Sequence, residues 1–197
     1  MKKISLIGSA IGALALAGVA SADIVEVDVS DMMSIAAFGD PGNMVIEVDL
    51  GALGYDTVTG VAWDTTLLTE GPSWASEAGF AFGDSQGEAG LFLRPGAGVN
   101  EPLTEATRFF SDINEDGEFN VADDILNLEG VGIPNLDISS GILRIELYES
   151  FNDPEVDVDA NWLAGSTLYI EAIAIPAPGA LALIGVAGLI GTRRRRG

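Results

Sequence analysis

Val25-Glu26-Val27-Asp28-Val29 and Met44-Val45-Ile46-Glu47-Val48-Asp49-Leu50 are the stretches that decide the fold. In the first, valines alternate with carboxylates. In the second, Met44, Ile46, Val48 and Leu50 alternate with Val45, Glu47 and Asp49. Successive side chains of an extended chain point to opposite faces, so each stretch has one face to bury and one to wet. The pattern returns in Val61, Trp63, Thr65 and Leu67, and in Leu143, Ile145 and Leu147 against Arg144, Glu146 and Tyr148. Phe80 with Phe82, Leu91 with Leu93, and the run from Leu168 to Ile175 suggest further strands. Gly39-Asp40-Pro41-Gly42-Asn43, Gly71-Pro72, Gly83-Asp84-Ser85, Arg94-Pro95-Gly96 and Asn152-Asp153-Pro154 read as the turns between them. About eight short strands with such connections predict an all-β protein, an antiparallel β-sandwich of jelly-roll-like form.

The charge pattern divides the chain. Its 197 residues hold 9 Lys+Arg, 30 Asp+Glu, no His and no Cys, for a net charge of −21. Lys2 and Lys3 open the chain and Arg193, Arg194, Arg195 and Arg196 nearly close it. Between Asp23 and Ile175 only Arg94, Arg108 and Arg144 face all 30 acidic residues, a charge of −27. Residues 1–22, 23–175 and 176–197 are thus three physically different segments. Without His or Cys there is no Ser-His-Asp or Cys-His nucleophile, no imidazole or thiolate zinc site and no disulfide. The acidic balance excludes phosphate-backbone binding, so no nucleic-acid partner is expected.

Met1-Lys2-Lys3 is a positive n-region, Ile4 to Val19 an apolar h-region, and Ala20-Ser21-Ala22 a small-x-small cleavage site before Asp23. Residues 1–22 therefore read as a secretory signal peptide; a buried helix or a retained anchor is the alternative. At the other end, no residue from Ala172 to Thr192 is charged, and Gly179 to Ile190 is small and apolar. A helix from Gly179 to Thr192 would be about 20 Å long, short for a hydrocarbon core, though the apolar residues before Pro176 lengthen it. The Arg run favours a cytoplasmic C-terminus, so an inner-membrane intermediate is expected.

Pro176-Ala177-Pro178, the apolar helix and Arg193 to Arg196 stand in the order of a PEP-CTERM sorting signal. The tail resembles that family, in the variant with Ala between the prolines found in planctomycete-type relatives. The resemblance implies an exported bacterial surface protein whose transmembrane sorting helix is processed by an exosortase, often where exopolysaccharide is made. A plain tail anchor is the other reading of the same residues.

One segment breaks the β pattern. Asp112-Ile113-Asn114-Glu115-Asp116-Gly117-Glu118-Phe119-Asn120-Val121-Ala122-Asp123 reads D-x-N-x-D-G-x-x-N-x-x-D. Oxygen side chains recur where an EF-hand loop wraps a calcium ion, with glycine at the sharp turn. The expected ligands are Asp112, Asn114, Asp116, Glu118 through its backbone carbonyl, Asn120 and Asp123. Phe119 is the apolar residue that packs beneath such a loop. Val121, Ile125 and Leu128 recur at helical spacing with Gly130 as a cap, and Glu101 to Phe110 is helix-compatible, with Pro102 near a first turn. A solvated acidic loop is the competing reading. The segment also resembles half of a type I dockerin, which implies Ca²⁺; a dockerin presents its cohesin-binding face with two such repeats, so no cohesin partner is expected.

Catalysis by a carboxylate pair needs two placed groups, and Glu146 and Glu149 flank an aromatic. With no other constellation, a non-enzymatic protein is expected. Trp74 and Trp162 lie beside turn residues and are candidates for stacking on sugar rings, whereas Trp63 sits in a strand. The reading is an exported, tail-sorted cell-surface or matrix protein with an acidic β-sandwich ectodomain (23–175) and a calcium-loop insertion (112–123). The alternative is a calcium-dependent carbohydrate-binding module acting on exopolysaccharide.

Overall fold

A computed structural model of the chain describes residues 22–86, 89–152 and 157–174. These belong to one compact unit, Ser21–Ile175. The expected signal peptide up to residue 21, Pro176, Ala177, Pro178, the expected sorting helix and Arg193 to Arg196 lie outside the described residues. Among those described, no helix is long and apolar enough to cross a membrane.

Among the described residues twelve strands run in chain order: β1 (Ala22–Asp28), β2 (Met32–Ser34), β3 (Val45–Asp49), β4 (Tyr55–Thr69), β5 (Ala78–Asp84), β6 (Ala89–Leu93), β7 (Thr107–Phe110), β8 (Leu126–Asn127), β9 (Leu136–Asp137), β10 (Ile142–Glu149), β11 (Ala160–Trp162) and β12 (Thr167–Ala174). They form two sheets. The larger runs β1-β12-β4-β11-β2, with β7, β8 and β9 also paired along β4; the smaller runs β3-β10-β5-β6. Every pairing is antiparallel. An antiparallel sheet can bury one face and wet the other, which is what the alternating sequences require.

The two sheets share one hydrophobic core. Val27 of β1, Val61 and Leu67 of β4, and Leu168 and Ile170 of β12 meet Phe80 and Phe82 of β5, Leu91 and Leu93 of β6, and Leu143, Ile145 and Leu147 of β10. Trp162 is fully buried at its centre, its ring 4.3 Å from that of Phe80, and its Nε1 donates to Ser34 Oγ at 3.1 Å. Burying one such large apolar side chain contributes about 2–3 kcal/mol. Trp162 is therefore a core residue, and its ring is closed to the sugar stacking expected from its neighbouring turn. Trp63 packs against the same core.

Both helical expectations around the acidic loop are corrected. Thr107–Phe110, within the upstream segment, is β7 and pairs with Asp64–Leu67 of β4. Downstream, Val121, Ile125 and Leu128 do not share a helix: Leu126–Asn127 pairs with Gly60 and Val61, and a short 3₁₀ turn follows at Glu129–Val131, capped by Gly132 rather than Gly130. The open backbone of the 15-residue β4 supplies the ladder, and Leu128 N donates to Thr59 O at 3.0 Å. Long-range pairing with an available strand overrides weak local propensity. Gly60 makes the approach possible, since a Cβ there would lie 2.5 Å from Ile125 Cγ2.

Candidate functional site

The Asp112–Asp123 loop is an insertion between β7 and β8, and its turns are built from its own side chains. Asp112 Oδ1 and Oδ2 accept from the backbone N–H of Asp116 and Gly117, both at 3.0 Å. Asn114 Oδ1 also accepts from Asp116 N, at 3.0 Å, and Asp116 Oδ1 accepts from Glu118 N at 2.8 Å. Asn120 Oδ1 accepts from Ala122 N at 3.2 Å, while its Nδ2 donates to Asp123 Oδ2 at 2.7 Å. Asp and Asn serve here because their short side chains reach amides two residues ahead, which longer side chains do less well. Gly117 has φ +80°, the left-handed conformation expected at the sixth position, and Glu115 enters the same region at φ +61°.

The loop is fastened by a residue outside the twelve-residue pattern. Asp124 is fully buried; its Oδ1 accepts from Ile113 N at 2.9 Å and its Oδ2 from Asn120 N at 2.7 Å. One carboxylate therefore ties the start of the loop to its end. The signal is present as the doublet Asp123-Asp124 before the apolar Ile125-Leu126, but only the first Asp fits the calcium spacing.

Phe119 holds the loop to the sheet. Its ring lies 5.2 Å from Tyr169 of β12 and 6.5 Å from Phe110 of β7. Tyr169 alternates with the core-facing Leu168 and Ile170, so this contact is on the outer face of the larger sheet. Burial against the aromatic stack, with the Glu26 and Asp64 charges nearby, raises the Tyr169 phenol above its ordinary value. Beside it, Arg108 forms a two-pronged pair with Asp64 (Nε–Oδ1 2.6 Å, Nη2–Oδ2 2.8 Å) and sits 4.8 Å over the Phe110 ring. That pair holds the Arg108 guanidinium above its usual pKa.

Among the described residues no three acidic side chains gather as a ready metal cage. Asp112, Asn114, Asp116, Glu118, Asn120 and Asp123 are brought into one short loop, exposed except for the half-buried Asp112, with several oxygens already engaged by backbone amides. The donor set is all oxygen, the chemistry a hard cation such as Ca²⁺ selects. Glu146 and Glu149 are not brought together. They are three residues apart on β10, so their side chains leave opposite faces of the sheet.

Trp74 and Trp162 have opposite fates. Trp162 is in the core, and Trp74 is exposed on the turn between β4 and β5.

No protein-family model matches the chain, and no curated protein matches it. Solved structures resembling it include infectious bursal disease virus Gt strain, at 13% identity and TM-score 0.37, covering 90% of this chain and 38% of that one. The T13 viral particle of the same virus matches at 14% identity and TM-score 0.37, covering 90% of this chain and 37% of the other. The chain thus spans less than two-fifths of the length of these two structures.

Proposed function

We propose that this chain is a non-enzymatic exported protein of the cell surface or extracellular matrix. Residues 1–22 direct export, residues 23–175 form the working ectodomain, and residues 176–197 are a sorting signal read by an exosortase. The support for sorting is the sequence order of Pro176-Ala177-Pro178, apolar helix and Arg193 to Arg196. The ectodomain is a jelly roll: the orders β1-β12-β4-β7 and β3-β10-β5-β6, with the chain crossing repeatedly between sheets, support this reading.

The loop at 112–123 binds one calcium ion, which neutralises part of its charge and stiffens a segment otherwise held by Asp124 and Phe119. The observation that carries this reading is the left-handed Gly117 within turns closed by Asp112, Asn114, Asp116 and Asn120, at the spacing such a loop requires. Calorimetric titration of the full-length chain with CaCl₂ tests it. One site per chain, with a dissociation constant on the order of 10⁻⁴ M, is expected, as for extracellular calcium modules. Asp116→Ala should abolish the heat. Absence of heat in the unaltered chain, or unchanged heat in the variant, overturns the calcium reading. Mass spectrometry of the exported protein checks the tail: an intact C-terminus through Gly197 refutes processing.

A further inference from the structure

Among the described residues four aromatic side chains are well exposed: Phe38, Trp74, Phe92 and Phe151. They form two pairs of different kinds. Phe38 and Phe92 touch edge to face at 5.2 Å and both rest on Tyr148, which makes them a packed cap on the smaller sheet. Trp74 and Phe151, 43% and 60% exposed, instead line an open cleft of about 340 Å³ together with Pro72 and Glu77.

The frame beneath this cleft is rigid. Glu77 Oε2 accepts from Trp74 N at 2.8 Å, and Glu77 N donates back to Trp74 O at 3.0 Å. Ser150 N, immediately before Phe151, donates to Glu77 O at 2.8 Å. Arg94 Nη1 adds a bond to Ser76 O at 3.2 Å and approaches Ser150 Oγ. The backbone under both rings is therefore tied to one residue, Glu77, and little ordering remains to oppose binding. Exposing two large aromatics in water is unfavourable, and a partner with an apolar face would cover them.

We infer that this cleft binds a neutral polysaccharide chain, with pyranose rings stacked on Trp74 and Phe151 and sugar hydroxyls donating to the Glu77 carboxylate. Three apolar rings and one acceptor match a pyranose, whose axial C–H groups form apolar faces and whose equatorial hydroxyls form a polar rim. A volume of about 340 Å³ falls in the range of small-molecule sites, about 300–1,000 Å³. The −27 charge of residues 23–175 repels acidic polysaccharides and leaves neutral ones. No residue of the cleft belongs to the 112–123 loop, so binding is independent of calcium and stands or falls separately from the calcium reading.

The test is a tryptophan-fluorescence titration of the full-length chain with cellohexaose and with laminarihexaose, using a polygalacturonate hexamer as the acidic control. Saturable binding of at least one neutral hexamer is expected, unchanged by EDTA and at least about tenfold tighter than the acidic one. Trp74→Ala and Phe151→Ala, followed by calorimetry, should each weaken it at least about tenfold, with Glu77→Gln weakening it less. Both aromatic rings are exposed, so an unchanged far-UV spectrum should accompany the loss. Failure of both neutral hexamers to bind, binding that survives Trp74→Ala and Phe151→Ala, or binding removed by EDTA would each overturn the assignment.

Discussion

The two outer faces of this sandwich are each covered by a loop, and each loop is held by one buried carboxylate. On the larger sheet, Asp124 accepts amides 11 and 4 residues away and Phe119 seats the loop on Tyr169. On the smaller sheet, residues 35–43 cross over β10, where Glu146 Oε1 accepts from Gly39 N at 2.6 Å and Asn43 Nδ2 at 2.7 Å, groups 107 and 103 residues away. Glu146 Oε2 lies 2.6 Å from Arg144 Nη1, an ion pair whose geometry is not that of an aligned hydrogen bond. Phe38 then packs over Tyr148 and Phe92. The same chemical device closes a local loop in one case and joins distant parts of the chain in the other. The first organises a candidate binding loop; the second fastens the fold.

This contrast should appear as a difference in scale. Glu146→Ala leaves the Gly39 and Asn43 donors without their acceptor and a half-buried Arg144 without its partner, and should cost about 3 kcal/mol in urea unfolding. Glu146→Gln retains an acceptor oxygen and should recover part of that loss. Asp124→Ala removes the acceptor for Ile113 N and Asn120 N and should cost about 2 kcal/mol, with faster amide exchange confined to the loop. Equal losses for the two alanine variants, or exchange spreading across β4 in Asp124→Ala, would erase the distinction.

A third carboxylate sharpens it at the weak end. Asp84 closes a solvent-facing turn, accepting from Ser140 N and Gln86 N, and these amides hold its carboxyl below the ordinary value of 3.8. A depressed folded value means its contribution is present above 3.8 and lost as pH falls through the folded value. Carboxylate NMR should place the Asp84 midpoint below 3.8, with the Ser140 amide shift following it. A midpoint at or above 3.8 would remove this clamp from the comparison. The effect on global stability should be the smallest of the three, because solvent screens the group.

What can be read in the sequence follows the same division between local and distant. The strands around Val27, Ile46, Val61, Ile145 and Leu168 show their alternation without any knowledge of a partner, because period two is a property of the extended backbone itself. The turns of the acidic loop are legible for a similar reason: Asp112, Asn114, Asp116 and Asn120 bond amides only two to five residues ahead. Phe119 is expected beneath the loop, and its contact with Tyr169 agrees. Asp124 escapes a reading of the sequence because its role depends on burial, and a second aspartate in an acidic run looks like one more solvated charge.

Strand periodicity, the sharp turn at Gly117 and the separation of an acidic middle from two basic ends are written in the order of residues along the chain. Tertiary structure decided the rest. Trp162 and Trp74 both lie beside turns, yet one ring was drawn into the core by Phe80 and the other was left in water on the Glu77 frame. Residues 107–110 and 126–127 became strands because β4 offered unpaired backbone, a partner no local pattern could announce. Glu146 became a latch because Gly39 and Asn43 arrive from across the fold. Local chemistry acts over a few residues and is written in order along the chain, whereas burial and long-range pairing exist only once the chain has closed on itself.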